Sequence, residues 1–178
     1  MDGVIDELDQ KAIGYTDIPE IVYGFGLSVL WKGFDVSVFF QGINHVNFSI
    51  NSTMVRGFTA ARPADSNIFS DIYGNYWTED NPGAKYPRLS THDIQNNSVS
   101  SDFWMVDGSY LRLKNAEIGY TLPRALTQKM KLSNIRFYLS GTNLLTFSPF
   151  KLWDPDLQTG PDNYPNNIVV NLGVTLSF

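Results

Sequence analysis

Five stretches of the chain alternate apolar and polar residues with a period of two, the spacing of side chains along a β-strand. From 21 to 31, Ile21, Tyr23, Phe25, Leu27, Val29 and Trp31 share a face, opposite Val22, Gly24, Gly26, Ser28 and Leu30. Lys32-Gly33 is a turn signal, and the stretch 33–43 aligns Phe34, Val36, Val38 and Phe40. From 108 to 121, Ala116, Ile118 and Tyr120 fall on one face but Leu111 and Leu113 on the other. That slip predicts a β-bulge or a change of environment near Lys114. The stretch 134–146 groups Ile135, Phe137 and Leu139, and 167–178 keeps its alternation to the terminal Phe178.

The connections alternate in length. A tight turn joins the first two stretches, about sixty residues (44–107) the next two, a short link (122–133) the next, and about twenty residues (147–166) the last. Short turns on one rim and long loops on the other mark a transmembrane β-barrel, and a structureless connection of that length is foreign to a compact soluble domain. A twelve-residue strand rising about 3.3 Å per residue and tilted by roughly 40° crosses an apolar band of about 25 Å. Inside the long connection, Ile68, Phe69, Ile72, Tyr73, Tyr76 and Trp77 recur at helical spacing after Ser66 and Asn67, predicting a short helix over 66–77. Gly74 weakens that helix by about 1 kcal/mol. Pro123 is placed to begin one helical turn in the 122–133 link.

Composition narrows the class. Charged residues make up 17% and aromatic residues 14%, so the chain is poor in charge and rich in rings, yet mean hydropathy is only −0.17. No run reaches the roughly 18 apolar residues of a membrane helix, which excludes a helical membrane protein and leaves a barrel. A net charge of −5 without a Lys/Arg cluster argues against nucleic acid as a partner. With no cysteine there is no disulfide, thiolate metal site or Cys nucleophile. The start, MDGVIDELDQ, has neither the basic nor the apolar region of a signal peptide.

No constellation points to catalysis: neither G-x-S-x-G nor H-E-x-x-H is present. His45 and His92 stand far apart in one connection and read as ordinary polar residues. YGFGLS lacks the third glycine of a dinucleotide fingerprint and lies within a strand, where Gly24 and Gly26 give room for a close neighbour. Asp154-Pro155-Asp156 reads as a turn. A soluble β-sandwich module that binds carbohydrate shares the alternation, the rings and the acidity, and is the competing reading of these residues.

Four segments, VYGFGLSVLWKGFDVSVFFQG, YWTEDNPGAKYPRLS, DFWMVDGSYLRLKNAEIGYTLP and IRFYLSGTNLLTFSPFKLWDPD, followed by the Phe-terminated strand, run in order over nearly the whole chain. Together they resemble the C-terminal part of a SusC/RagA-type TonB-dependent outer-membrane transporter. The resemblance implies an all-β fold in which residues 1–178 supply the last five antiparallel strands of a 22-stranded barrel. The strands are then 21–31, 33–43, 108–121, 134–146 and 167–178, with extracellular loops 1–20, 44–107 and 147–166 and periplasmic turns at 32–33 and 122–133. It further implies import of glycans or peptides, a SusD-like surface lipoprotein as partner, and coupling to TonB through an N-terminal plug region outside this chain.

Site residues follow from that frame. Tyr76, Trp77, Trp153 and Tyr164 fall in extracellular loops, where rings stack on substrate or contact the lipoprotein, or else pack within the loops. Trp31, Tyr120, Phe147 and Phe150 stand near strand ends, where aromatic girdles meet lipid headgroups. Asp2, Gly3, Asp6 and Asp9 match the second half of an EF-hand-type loop; as the chain stands they read as an acidic extracellular loop, and with earlier ligands upstream in the full-length protein as a Ca2+ site. The row Val174, Leu176 and Phe178 resembles the C-terminal signal read by the barrel assembly machinery.

Overall fold

The computed structural model describes residues 10–58, 67–92, 94–158, 160 and 163–178. The chain divides into two compact units, Met1–Ile18 with Val46–Asp107, and Pro19–His45 with Gly108–Phe178.

The second unit is one antiparallel sheet. Its strands are β1 (Ile21–Trp31), β2 (Phe34–Asn44), β5 (Tyr110–Thr121), β6 (Asn134–Phe147) and β7 (Val169–Ser177), in the spatial order β1-β2-β5-β6-β7. β1 and β2 form a two-residue hairpin in which Trp31 faces Phe34, and Lys32 and Gly33 both take positive φ, 47° and 89°. Positive φ at both turn residues is what a type I′ turn requires, and its twist matches that of the flanking strands. The register between β2 and β5 shifts between Phe39 and Phe40, and that between β5 and β6 shifts between Leu113 and Asn115. Against β2, Lys114 is the extra residue, and against β6 the single Lys114 stands opposite Asn143 and Leu144, so the bulge lies where the change of face in the sequence placed it. Across that shift β6 carries Asn143 at φ 53°, and Leu113 regains the side of Phe40 while Arg112 regains that of Gln41. The link between β5 and β6 begins at Pro123, continues as α3 (Arg124–Thr127) and a 3-10 turn (Gln128–Met130), and ends on Lys131 at φ 59°.

Pairing sorts the sheet into two faces. One carries Leu27, Val29, Val36, Val38, Ile118, Leu139, Leu172 and Val174 in adjoining registers. The other carries Ser28, Asp35, Ser37, Glu117, Ser140, Asn171 and Thr175. Much of the apolar face is exposed: Val36, Ile118, Leu139 and Val174 are all more than a third accessible. Among the described residues of this unit, none forms the second layer that a sandwich would lay over this face.

The first unit holds β3 (Asn47–Ser49) paired with β4 (Met105–Asp107), and two single helical turns, α1 (Thr53–Arg56) and α2 (Gln95–Ser98). Its buried residues include Val46, Phe48, Ile50, Val55, Ile72, Tyr86 and Trp104. Asn47 serves as a scaffold, accepting from the Tyr15 N–H at 2.9 Å and donating to the Val106 carbonyl at 3.1 Å. The helix expected over 66–77 is not formed in the described part, 67–77, which holds turns instead. After one i→i+4 bond, from Tyr73 N to the Phe69 carbonyl, Gly74 enters the left-handed region at φ 77°. The backbone then pairs away: Tyr86 N donates to the Asn75 carbonyl and Trp77 N to the Tyr86 carbonyl. Tertiary pairing has overridden a helical period that spans barely three turns.

Candidate functional site

Aromatic side chains in the connections fall into two groups. Trp153 is committed to its own loop: its indole N–H donates to the Leu157 carbonyl at 2.8 Å, and its ring meets Phe150 edge-on at 4.7 Å. Tyr76 is half-buried and held in the bridge to Tyr86. Trp77 is 37% exposed and Tyr164 is 79% exposed. Tyr164 is nevertheless oriented, because its hydroxyl accepts a hydrogen bond from Asn167 Nδ2 at 3.2 Å. Trp77 and Tyr164 are thus exposed, while Trp153 is held within its own loop; Tyr76 and Trp77 belong to the first unit, Trp153 and Tyr164 to the second.

A charged cluster missed by sequence reasoning stands where β5 meets the β6–β7 connection. Arg112 is only 1% exposed. It pairs with Asp154 and, at 3.0 Å from Nη1 to Oδ2, with Asp156, while its guanidinium lies 5.2 Å from the Tyr110 ring centroid. Asp154 also accepts from its own loop, from Asp156 N at 3.0 Å. Asp154-Pro155-Asp156 is therefore a turn, as its residues suggested, and also the receptor for a buried cation. The signal in the sequence was an arginine between Leu111 and Leu113 beside a bulge, but nothing there tied it to carboxylates some forty residues later.

On the polar face of the sheet, Arg136 gathers Asp35 and Glu117. Its Nε donates to Asp35 Oδ1 at 3.0 Å, a second bond reaches Asp35 Oδ2, and Nη2 lies 2.6 Å from Glu117 Oε1. The guanidinium also stands 5.2 Å from the Tyr138 ring centroid. Gly119 leaves room for this group, since a Cβ there would collide with Arg136 and Asp35. Three strands thus contribute to one ion-pair group whose two carboxylates outnumber its single cation.

The remaining expected positions are more simply placed. Val174, Leu176 and Phe178 are exposed along one side of the last strand. Asp2, Asp6 and Asp9 lie outside the described residues. Among the described residues no group of three or more His, Asp or Glu is arranged to hold a metal ion. His45 Nδ1 lies 3.2 Å from Glu20 Oε2.

No protein-family model matches the chain. Among known proteins it is 31% identical to TonB-dependent receptor P3 of Formosa agariphila, over 99% of this chain and 18% of that protein. It is 26% identical to the TonB-dependent receptor SusC of Bacteroides thetaiotaomicron, over 99% of this chain and 17% of that protein. A solved structure of the RagAB peptide importer in its closed-closed state superposes with a TM-score of 0.70 at 27% identity, over 99% of this chain and 20% of that one. The chain belongs to the SusC/RagA-type TonB-dependent receptors. It spans about a fifth of the length of the receptors it matches. In a TonB-dependent receptor the five-stranded sheet is a sector of barrel wall, which accounts for its two unlike faces.

Proposed function

We propose that the full-length protein is an outer-membrane active transporter, driven through TonB, that imports glycans or peptides together with a SusD-like surface lipoprotein. The observation that carries this reading is a single sheet with an exposed apolar face, a polar face, and no strand against the outer edge of either β1 or β7 among the described residues. Such a sheet suits a wall with lipid on one side and a polar lumen on the other, closed by further strands. A 22-stranded closure fits the family. The similar solved structure is that of a peptide importer, and in this reading the protein works by transport rather than by catalysis.

In this reading β7 runs towards the periplasm, so loops 1–20, 44–107 and 147–166 are extracellular and the turns at 32–33 and 122–133 periplasmic. Trp77 and Tyr164 are the rings offered to cargo or to the lipoprotein. The row Val174, Leu176 and Phe178 serves as the recognition signal for the barrel assembly machinery.

The wall assignment is tested by a pair of neighbouring substitutions in the full-length receptor. Val174→Arg puts a cation into lipid and is expected to cost about 2–4 kcal/mol near the midplane. Thr175→Arg points into the lumen and is expected to cost far less. Equal amounts of folded receptor for both variants in a membrane-insertion assay would overturn the assignment.

A further inference from the structure

The β6–β7 connection is tied to the sheet by a continuous polar line that ends at an exposed ring. Asp156 is its branch point. The same Oδ2 that meets Arg112 at 3.0 Å also accepts from Asn166 Nδ2 at 2.9 Å. One peptide bond on, Asn167 Nδ2 donates to the Tyr164 hydroxyl at 3.2 Å, and the Asn167 carbonyl accepts from Asn143 Nδ2 at 3.1 Å. A guanidinium that is 1% exposed is thereby connected, through two amides and a carboxylate, to a phenol that is 79% exposed.

The chemistry at the buried end makes the connection stiff. Arg112 hydrogen-bonds Asp154 through Nη2 and stands at ion-pair distance from Asp156 through Nη1, so one planar guanidinium holds both carboxylates, which a lysine ammonium, being a point charge on a flexible stem, would do less rigidly. Asp154 and Asp156 flank a proline and share one turn, so holding both fixes the turn as well as its position. Removing the arginine would leave two adjacent carboxylates repelling each other without a counter-ion. Tyr164 itself has little packing to hold it, so its orientation depends on what Asn167 is fastened to.

We propose that Arg112 is a positioning residue for Tyr164: by fixing Asp156, and through it Asn166 and Asn167, it holds the ring at a set place on the receptor's surface instead of leaving it on a free loop. This rests on reading Tyr164 as a contact for cargo or lipoprotein, but the physical link is measurable without either.

The test is 19F NMR of the full-length receptor carrying 3-fluorotyrosine, with the Tyr164 resonance assigned by its loss in Tyr164→Phe. Arg112→Met, Asp156→Asn and Asn166→Ala are each expected to move the Tyr164 signal to the position of a freely exposed fluorotyrosine and to narrow it. Arg112→Lys is expected to retain only part of the original shift. Heat-modifiable gel migration reports that each variant still forms a barrel. Asp156→Asn and Asn166→Ala leave the Arg112–Asp154 pair in place, so they decide the matter even where Arg112→Met fails to fold. A Tyr164 signal unmoved in these two variants would overturn the proposal. Its failure is distinguishable from that of the transport reading: uptake indifferent to Tyr164→Ala would remove the ring's role in transport yet leave the NMR result standing.

Discussion

Several residues on the polar face are small because their cross-strand neighbours lie flat. A Cβ at Gly173 would run into the Tyr138 ring, and one at Gly26 would come within 2.9 Å of the Val38 carbonyl and 3.2 Å of the Phe39 ring. Gly173→Val is therefore expected to destabilise the receptor by about 1–3 kcal/mol through overpacking. Urea unfolding in lipid vesicles measures the loss, and Tyr138→Ala in the same chain should restore most of it by removing the ring in the way. The loop rings separate by the same kind of reasoning. Tyr164→Ala removes an exposed ring and is expected to change stability by no more than about 0.5 kcal/mol while lowering uptake. Trp153→Ala loses the bond to Leu157 and the contact with Phe150, and is expected to cost about 2 kcal/mol in the same unfolding measurement. If Tyr164→Ala proved the more damaging to stability, the assignment of the two rings would be reversed. The sequence placed both rings in the same connection but did not separate them. Whether an indole N–H finds a carbonyl four residues on is a matter of loop conformation, which composition does not specify.

At the scale of elements, alternation was enough to find the strands of the sheet, because each has one apolar row and a slip of one residue would reverse it. The bulge at Lys114 was legible for the same reason: Leu111 and Leu113 stand out of phase with Ala116 and Ile118. The β1–β2 hairpin yields a prediction of its own. Lys32 holds a positive φ of 47°, a conformation that asparagine adopts more readily than lysine and that type I′ turns favour in the order Asn-Gly. Lys32→Asn is thus expected to stabilise the receptor by about 0.5–1 kcal/mol, read as a higher urea midpoint with unchanged slope. A fall in the midpoint would mean that the stack of the Lys32 ammonium 5.1 Å from the Trp31 ring centroid outweighs the turn. The first unit was less legible. Its strands β3 and β4 are three residues each and pair across the whole intervening connection, so neither carries a period of its own, and the described stretch 67–77 follows its pairing with Tyr86 against its helical spacing.

For the molecule as a whole, a wall sector makes a strong statement about behaviour outside a membrane. Among the described residues β1 and β7 each present one unpaired edge in the sheet order, and one face of the sheet between them is apolar and exposed. Residues 1–178 expressed without detergent are therefore expected to aggregate by edge pairing and apolar association, as seen by light scattering after removal of denaturant. A folded, monodisperse monomer would overturn the wall-sector reading. The sequence by itself determined the antiparallel strands, their two faces, the tight turn and the bulge, because these depend on the order of apolar and polar side chains over a few neighbouring residues. Only the tertiary structure decided that Arg112 meets Asp154 and Asp156, that Arg136 gathers Asp35 and Glu117, and that Trp153 turns inward while Tyr164 stays out. Those contacts join residues far apart in the chain, and short-range ionic and hydrogen-bond geometry exists only once the register of the strands has brought the partners within reach.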